Sequence, residues 1–391
     1  MTRIEDLIED GWRGEPASVG SRPIGPDGLF VRPWKDCVSP EFVQSWRRLA
    51  ASAATPNPFG EHWFVLPSLE QFDPRGTVHL ATLVVDGELA GLMPLYRARD
   101  YHGHPLPHIG NWMHPNSFCG EPLIAGDHAE AFWSALLDWS DRNWRSSLFL
   151  HIACLPGDGI AVDTLNRVCK AKRRANRVVH RVSRACLRHG LSPEAHLVSI
   201  LGKKRRKELS RKRRRLEETG QTIFTRATGE DGLDEWIDQF LQLEDAGWKG
   251  QESSSLVSAR QTACFFRESL HGAAREQRLE RLAFHVDGKP VAMLCNFVTP
   301  PLAHSFKTAF DEDLYKLSPG MLLQVENLAL LEREEIEMTD SCAAAGHPMI
   351  EQIWDDRREI VSVSIPVGGT IRRGVGDILT SIEARRSENN R

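Results

Sequence analysis

Four groups of residues in this chain have types and spacings that can do chemistry. The first runs Asp340-Ser341-Cys342-Ala343-Ala344-Ala345-Gly346-His347. Histidine is the side chain whose charge changes nearest neutral pH, so His347 is the first candidate proton acceptor. Asp340 is placed to orient it or to hold a cationic ligand. The alternative is a structural histidine in a loop of small residues. The second group is Ser318-Pro319-Gly320, which predicts a helix start with serine as cap and proline at the first helical position. A helix start presents unpaired N–H groups that suit phosphate or pyrophosphate, and Gly320 permits close backbone approach. The same signature also occurs as a plain cap.

The third group sets ten cations in thirteen positions, Lys203 to Lys207 and Arg211 to Arg215. Four readings fit it: nucleic acid, an anionic lipid surface, an anionic substrate, or a solvated helix paired with acids. Nucleic acid is disfavoured because no aromatic residue interleaves the run and no helix-turn-helix signature accompanies it. The fourth group is Glu244 with Trp248 and Lys249, and Lys307, Asp311 and Tyr315. Glu244 and Trp248, four apart, share a helix face, and the alternative makes Trp248 core and the acids solvent-facing. A histidine-rich loop, His102, His104, His108 and His114 with Cys119, matches no established zinc spacing, so no metal is expected. That loop ends in Trp112, Asn116 and their neighbours, which read as a cleft wall.

These groups hang on a pattern that occurs twice. Leu83-Val84-Val85-Asp86-Gly87-Glu88-Leu89-Ala90 and Phe284-His285-Val286-Asp287-Gly288-Lys289-Pro290-Val291 each place Asp-Gly between apolar runs. Asp-Gly takes the positive φ angles of a two-residue hairpin turn. Two copies in similar surroundings suggest a duplicated domain. Strands are predicted near 30–34, 78–96, 147–153, 279–286, 290–298, 304–310, 337–341 and 360–366. Helices are predicted at 40–54, 129–144, 163–172, 233–246, 258–276 and 319–333, several with apolar residues at helical spacing. The strand after Val291 is expected to splay.

The segment Lys307 to Leu323, with its hairpin and Leu243 to Gly250, resembles the GNAT-type acyltransferase domain of the cellulose-biosynthesis-associated (CelD-like) family, distantly Fem-like. The likeness spans about Ser199 to Ile365. It implies an α/β (α+β) fold of tandem GNAT-like domains, each a mostly antiparallel twisted sheet flanked by helices. It also implies an acyl-CoA-dependent N-acyltransferase with an amine acceptor, either a lipid-like long-chain base or an amino sugar. In that setting His347, or Glu244 through water, takes the proton of the amine, and Tyr315 protonates the departing thiolate. Ser318, Gly320, Lys307 and Arg211 face the donor; Trp248, Lys249, Asp311, Trp112 and Asn116 face the acceptor. Acyl-CoA is a co-substrate, with no permanently bound cofactor. Two alternatives stay open: a Fem-type transferase using charged tRNA, and a non-catalytic accessory module in polysaccharide assembly.

Composition bounds the rest. Hydrophobic residues at 41% and charged residues at 26% exclude wholesale disorder. Eight scattered cysteines without a Cys-x-x-Cys pair read as buried thiols in a reducing compartment. No apolar run has membrane-spanning length, so a cytoplasmic protein, peripheral at the inner membrane if anywhere on it, is expected. The expected organisation is an arm over 1–28, an acceptor-side domain over 29–195, a donor-side domain over 196–370 and a flexible tail over 371–391.

Overall fold

Both Asp-Gly pairs form the expected turn, with positive φ at Asp86 and Gly87 and again at Asp287 and Gly288. The computed structural model describes residues 25–389, without the side chains of Trp248, Lys249, Glu388 and Asn389, so most of the arm expected over 1–28 lies outside the described residues. The strands are β1 (Gly28–Pro33), β2 (His79–Val85), β3 (Glu88–Ala98), β4 (His108–Asn111), β5 (Leu123–Ile124), β6 (Phe149–Pro156), β7 (Arg177–Arg188), β8 (Thr222–Thr228), β9 (Leu279–Val286), β10 (Lys289–Thr299), β11 (Leu302–Phe310), β12 (Met338–Asp340) and β13 (Asp356–Pro366). The helices that matter below are α1 (Pro40–Ser52), α2 (His62–Phe72), α3 (Ala129–Arg142), α4 (Ile160–Ala171), α5 (Pro193–Ile200), α6 (Lys203–Glu217), α7 (Leu233–Ala246), α8 (Arg260–Arg275), α9 (Pro319–Asn327) and α10 (Thr370–Asn389).

The strands make one mostly antiparallel sheet flanked by helices, and its order is mirrored. From one edge it reads β1, β2, β3, β4, β6, β13; from the other, β8, β9, β10, β11, β12, β7. The two parallel contacts, β4 with β6 and β11 with β12, stand at matching places. The duplication is therefore visible as a pseudo-twofold between β13 and β7. It is not two separate sheets. β7, from the first half of the chain, pairs with β12 of the second, and β13 returns to pair with β6 of the first. The strand predicted at 360–366 thus lies in the middle of the shared sheet. Pairing to both β6 and β7 buries it on both faces, Ser362 and Ser364 included.

Helix faces fill the sheet as the 3.6 periodicity requires. Phe132, Leu136 and Leu137 of α3, with Val162 and Leu165 of α4, cover β6 and β13. Phe240 of α7 and Phe265 and Phe266 of α8 cover β9 to β11. The halves meet through apolar rings: Phe59 and Phe64, from the first half, pack on Phe297 and Phe306. Such an interface resembles a core, so neither half is a free-standing body.

The tail is a correction. Residues 370–389 form α10, which packs on β7 and β13. Thr380 is buried, Glu383 accepts from the Tyr101 hydroxyl at 2.6 Å, and Arg177 pairs with Asp377 at 2.6 Å. Gly376, which weakens the helical pattern, lies against the Leu148 carbonyl, where a side chain would collide. Among the described residues, no helix is long and apolar enough to cross a membrane.

Candidate active site

β11 and β12 run side by side for three residue pairs, ending at His304 with Asp340, and then part. β11 continues to Phe310 against β10, while beyond Asp340 the Ser341 N–H donates to the Ala185 carbonyl of β7. The splay expected on the strand after Val291 lies one strand further on, because β10 is paired on both edges. The next helix, α9, is pinned to the sheet by a buried amide network. Asn296 Nδ2 donates to Asn327 Oδ1 at 2.7 Å and to Glu280 Oε2 at 2.8 Å, and Gln324 Nε2 reaches Thr308 Oγ1 at 3.2 Å.

The start of α9 faces this opening. Its first N–H groups, at Gly320 and Met321, have no carbonyl a turn earlier to bond. Ser318 occupies the cap position with φ of 53° and makes no side-chain cap bond, contrary to the sequence reading. Its hydroxyl instead accepts from Lys212 Nζ at 2.8 Å and donates to the Tyr315 carbonyl at 3.3 Å. A cation thus stands at the helix end that favours negative charge. Lys212 points inward because Leu209 and Leu216 bury their side of α6; Arg211, the residue singled out from sequence, is exposed. A Cβ on Gly320 would come within 2.7 Å of the Phe310 ring, so the glycine is demanded by packing. Tyr315 is exposed on the connecting loop, where Asp311 Oδ1 accepts from the Asp313 N–H at 2.9 Å.

At the apex of the opening lies a buried charge cluster. Asp340 is flanked by Arg184 at 3.3 Å and Arg358 at 3.4 Å, and Arg184 also donates to the Phe118 carbonyl at 2.9 Å. Burial would raise Asp340, but Arg184, Arg358 and the Cys342 N–H outweigh it and hold the carboxyl below its usual range. Burial pushes His304 down to about 3, so the ring is neutral. Asp340 was expected to orient His347, yet its carboxylate is engaged by the two arginines. His347 Nδ1 accepts from the N–H groups of Met349 and Ile350 at 3.4 and 3.3 Å, capping the turn that follows.

Two predicted residues do meet. Lys307 Nζ donates to Asn116 Oδ1 at 2.6 Å, joining β11 to the loop of the first half, and lies 5.7 Å from the Phe118 and Phe306 rings. Trp112 packs instead on the first-half core and His114. Burial, then Lys307, push His114 down to about 3. Glu244 is buried, and its Oε2 accepts from the Leu256 N–H at 2.8 Å. Trp248 and Lys249 open a short helical turn, and their side chains lie outside the described residues. Among the described residues, no three His, Cys, Asp or Glu side chains gather as a metal site requires. His108 stacks on Phe149 instead.

The matching opening in the first half, where β4 leaves β6 after Gly110, is closed. Asn111 lies across it: Oδ1 accepts from the Ala153 N–H at 2.8 Å and Nδ2 donates to the Ala153 and Gly120 carbonyls at 3.1 and 3.2 Å. Gly120 completes the closure by donating to the Cys154 carbonyl at 2.9 Å, where a Cβ would strike Ala153. Sequence reasoning missed Arg184, His304 and Gly120, and did not separate Lys212, Arg358 or Asn111 from their neighbours. Only Lys212 left a signal, since the phase of Leu209 and Leu216 selects the cation that turns inward.

Residues 203–347 match the family profile described as an acetyltransferase (GNAT) domain. No curated protein matches the chain. Among solved structures, a conserved protein of unknown function from Bacteroides thetaiotaomicron is similar at TM-score 0.55 and 13% identity, over 83% of this chain and 97% of that one. FemX is similar at TM-score 0.51 and 9% identity, over 82% and 95%. A tandem GNAT protein from the clavulanic acid biosynthesis pathway aligns at TM-score 0.41 and 14% identity, over 88% and 99%. The first two likenesses speak for the fold. The chain therefore carries a GNAT-type acetyltransferase domain, and the opening between β11 and β12 lies inside it.

Proposed function

We propose that this chain transfers an acyl group from acyl-CoA to an amine, using the opening between β11 and β12. The parting of these strands beside the start of α9 carries the reading. An amide-rich thioester arm laid along β11 would find the backbone edge that β12 has left. Its pyrophosphate would find the Gly320 and Met321 N–H groups and the Lys212 ammonium. The amine enters on the side of Lys307 and Asn116, with Trp248, Lys249 and Asp311 as its further contacts. Its nitrogen attacks the thioester carbonyl, an N–C bond forms and the C–S bond breaks. Backbone N–H groups of β11 hold the oxyanion.

The amine proton goes to His347 or, through water, to Glu244, and Tyr315 returns a proton to the thiolate. With Nδ1 accepting two N–H groups, His347 carries its own proton on Nε2, so its use as base requires that cap to open. A lipid-like long-chain base or an amino sugar is the acceptor class. The test is release of free CoA thiol from acetyl-CoA on adding amines of both kinds. Saturable, amine-dependent release supports the reading; no release with either class, at any donor concentration, rejects it. His347→Ala and Glu244→Gln then separate the two bases, the true one lowering kcat far more than donor affinity.

A further inference from the structure

The outer face of α6 is a stripe of cations of which, among the described residues, only Arg214 is paired, with Glu218 at 3.2 Å. Lys203, Lys204, Lys207, Arg211 and Arg215 are exposed, and among the described residues none has an ion pair or side-chain hydrogen bond. At 3.6 residues per turn the five fall within an arc of about 120° on the side away from Leu209 and Leu216. Three of the cations off this arc have partners: Lys212 holds Ser318, Arg213 reaches Glu326 at 2.6 Å, and Arg205 bonds Gln352.

This stripe works against its own helix. Lys203 with Lys207, Lys207 with Arg211, and Arg211 with Arg215 are like-charge neighbours four apart, each destabilising in isolation. Lys203, Lys204 and Arg205 also crowd the first turn, where no acid is present and the helix end is already positive. An anionic partner relieves both conflicts, whereas solvent relieves neither.

We infer that the outer face of α6 docks this protein onto an anionic lipid bilayer. A flat array of anionic headgroups matches a straight, convex row of cations roughly 18 Å long. Leu191 and Val198, 47% and 60% exposed, precede α6 in the chain, and a bilayer interface takes up such groups. RNA would call for aromatic rings interleaved with the cations, and the stripe has none. Docking needs no donor and stands apart from the acyl-transfer reading.

The experiment is co-flotation of the full chain with phosphatidylcholine vesicles, with and without phosphatidylglycerol, in the absence of thioester. Binding should require phosphatidylglycerol and weaken as salt rises. The triple variant Lys204→Gln, Lys207→Gln, Arg215→Gln should bind about a hundredfold more weakly, at about fivefold per charge. Its melting temperature should not fall, because all three side chains face solvent and their loss relieves the like-charge pairs four apart. Equal binding to both vesicle types overturns the inference. So does an unaffected triple variant, or a transfer RNA held at about 150 mM salt more tightly than the anionic vesicles. Because thiol release is assayed without vesicles, failure of docking and failure of the acyl-transfer reading are distinguishable.

Discussion

The two halves of the sheet contain the same opening and finish it in opposite ways. In the first, β4 and β6 part after Gly110, and the Asn111 amide with Gly120 supplies the hydrogen bonds that the missing strand would have made. In the second, β11 and β12 part after His304 and Asp340, and Ser305, which stands where Asn111 does, makes no such bridge among the described residues. The helices behind them differ in the same sense. Asp127 and Glu130 stand at the start of α3, whereas α9 has no acid in its first turn and Lys212 beside it. A fold duplicated in one chain can thus keep the geometry twice and leave ligand-compatible electrostatics once.

The largest expected effect comes from the apex of the second opening. Asp340→Ala leaves Arg184 and Arg358 buried without their shared carboxylate and should cost about 3–5 kcal/mol of stability. His151→Ala, at the matching place in the first half, should cost about 1–2 kcal/mol, chiefly through its bond to Ser364. Urea unfolding of the two variants measures the contrast, and similar losses would remove it.

Acid sensitivity is next in size. Burial pushes His114, His151 and His304 to about 3, so the unfolded chain takes up protons below about 6.5 that the folded chain refuses. Each should lose roughly 2 kcal/mol by pH 5. Glu121 runs the other way: burial raises it to about 7, so its contribution falls as pH rises from its ordinary range through about 7. The balance of these four groups should be a loss of roughly 3 kcal/mol on going from pH 7 to pH 5. Replacing His151 or His304 by Gln should flatten that slope equally, although one opening is closed and the other is not.

A smaller effect separates the two edges. Asn111→Ala should cost about 1–3 kcal/mol by leaving Ala153 N–H and C=O without partners. Ser305→Ala should stay within about 0.5 kcal/mol. Equal costs would mean that the second opening is bridged as well.

Much of the sheet was legible because its signals are local. The Asp-Gly turns, the apolar strands and the 3.6-period stripes of α7 and α8 need only neighbouring residues. Elements whose reasons lie elsewhere in the chain were not legible. α2 contains Pro67, and while Val65, Leu66 and Leu69 pack on the first half, Trp63 and Phe64 make sense only against the second. α10 carries two glycines whose purpose at Gly376 is a carbonyl more than two hundred residues away. The site followed the same rule. Lys307 and Asn116 were each singled out and prove to touch, but Arg184 and Arg358 gain meaning only when β7 and β13 cross between the halves. Gly320 was read as room for a ligand, and the Phe310 ring claims that room.

The claim that the second opening takes the donor is tested most directly by calorimetric titration of acetyl-CoA. Glycine variants would not serve, because a Cβ at Gly320 or Gly91 would meet the Phe310 or Phe132 ring within 2.7 or 2.5 Å. Lys212→Glu reverses the charge at the start of α9, and Glu130→Gln alters the start of α3. The account predicts one site, weakened about tenfold or more in Lys212→Glu, the equivalent of about 1.4 kcal/mol, and unchanged in Glu130→Gln. A Lys212→Glu variant that folds and binds acetyl-CoA as tightly as the parent would contradict it.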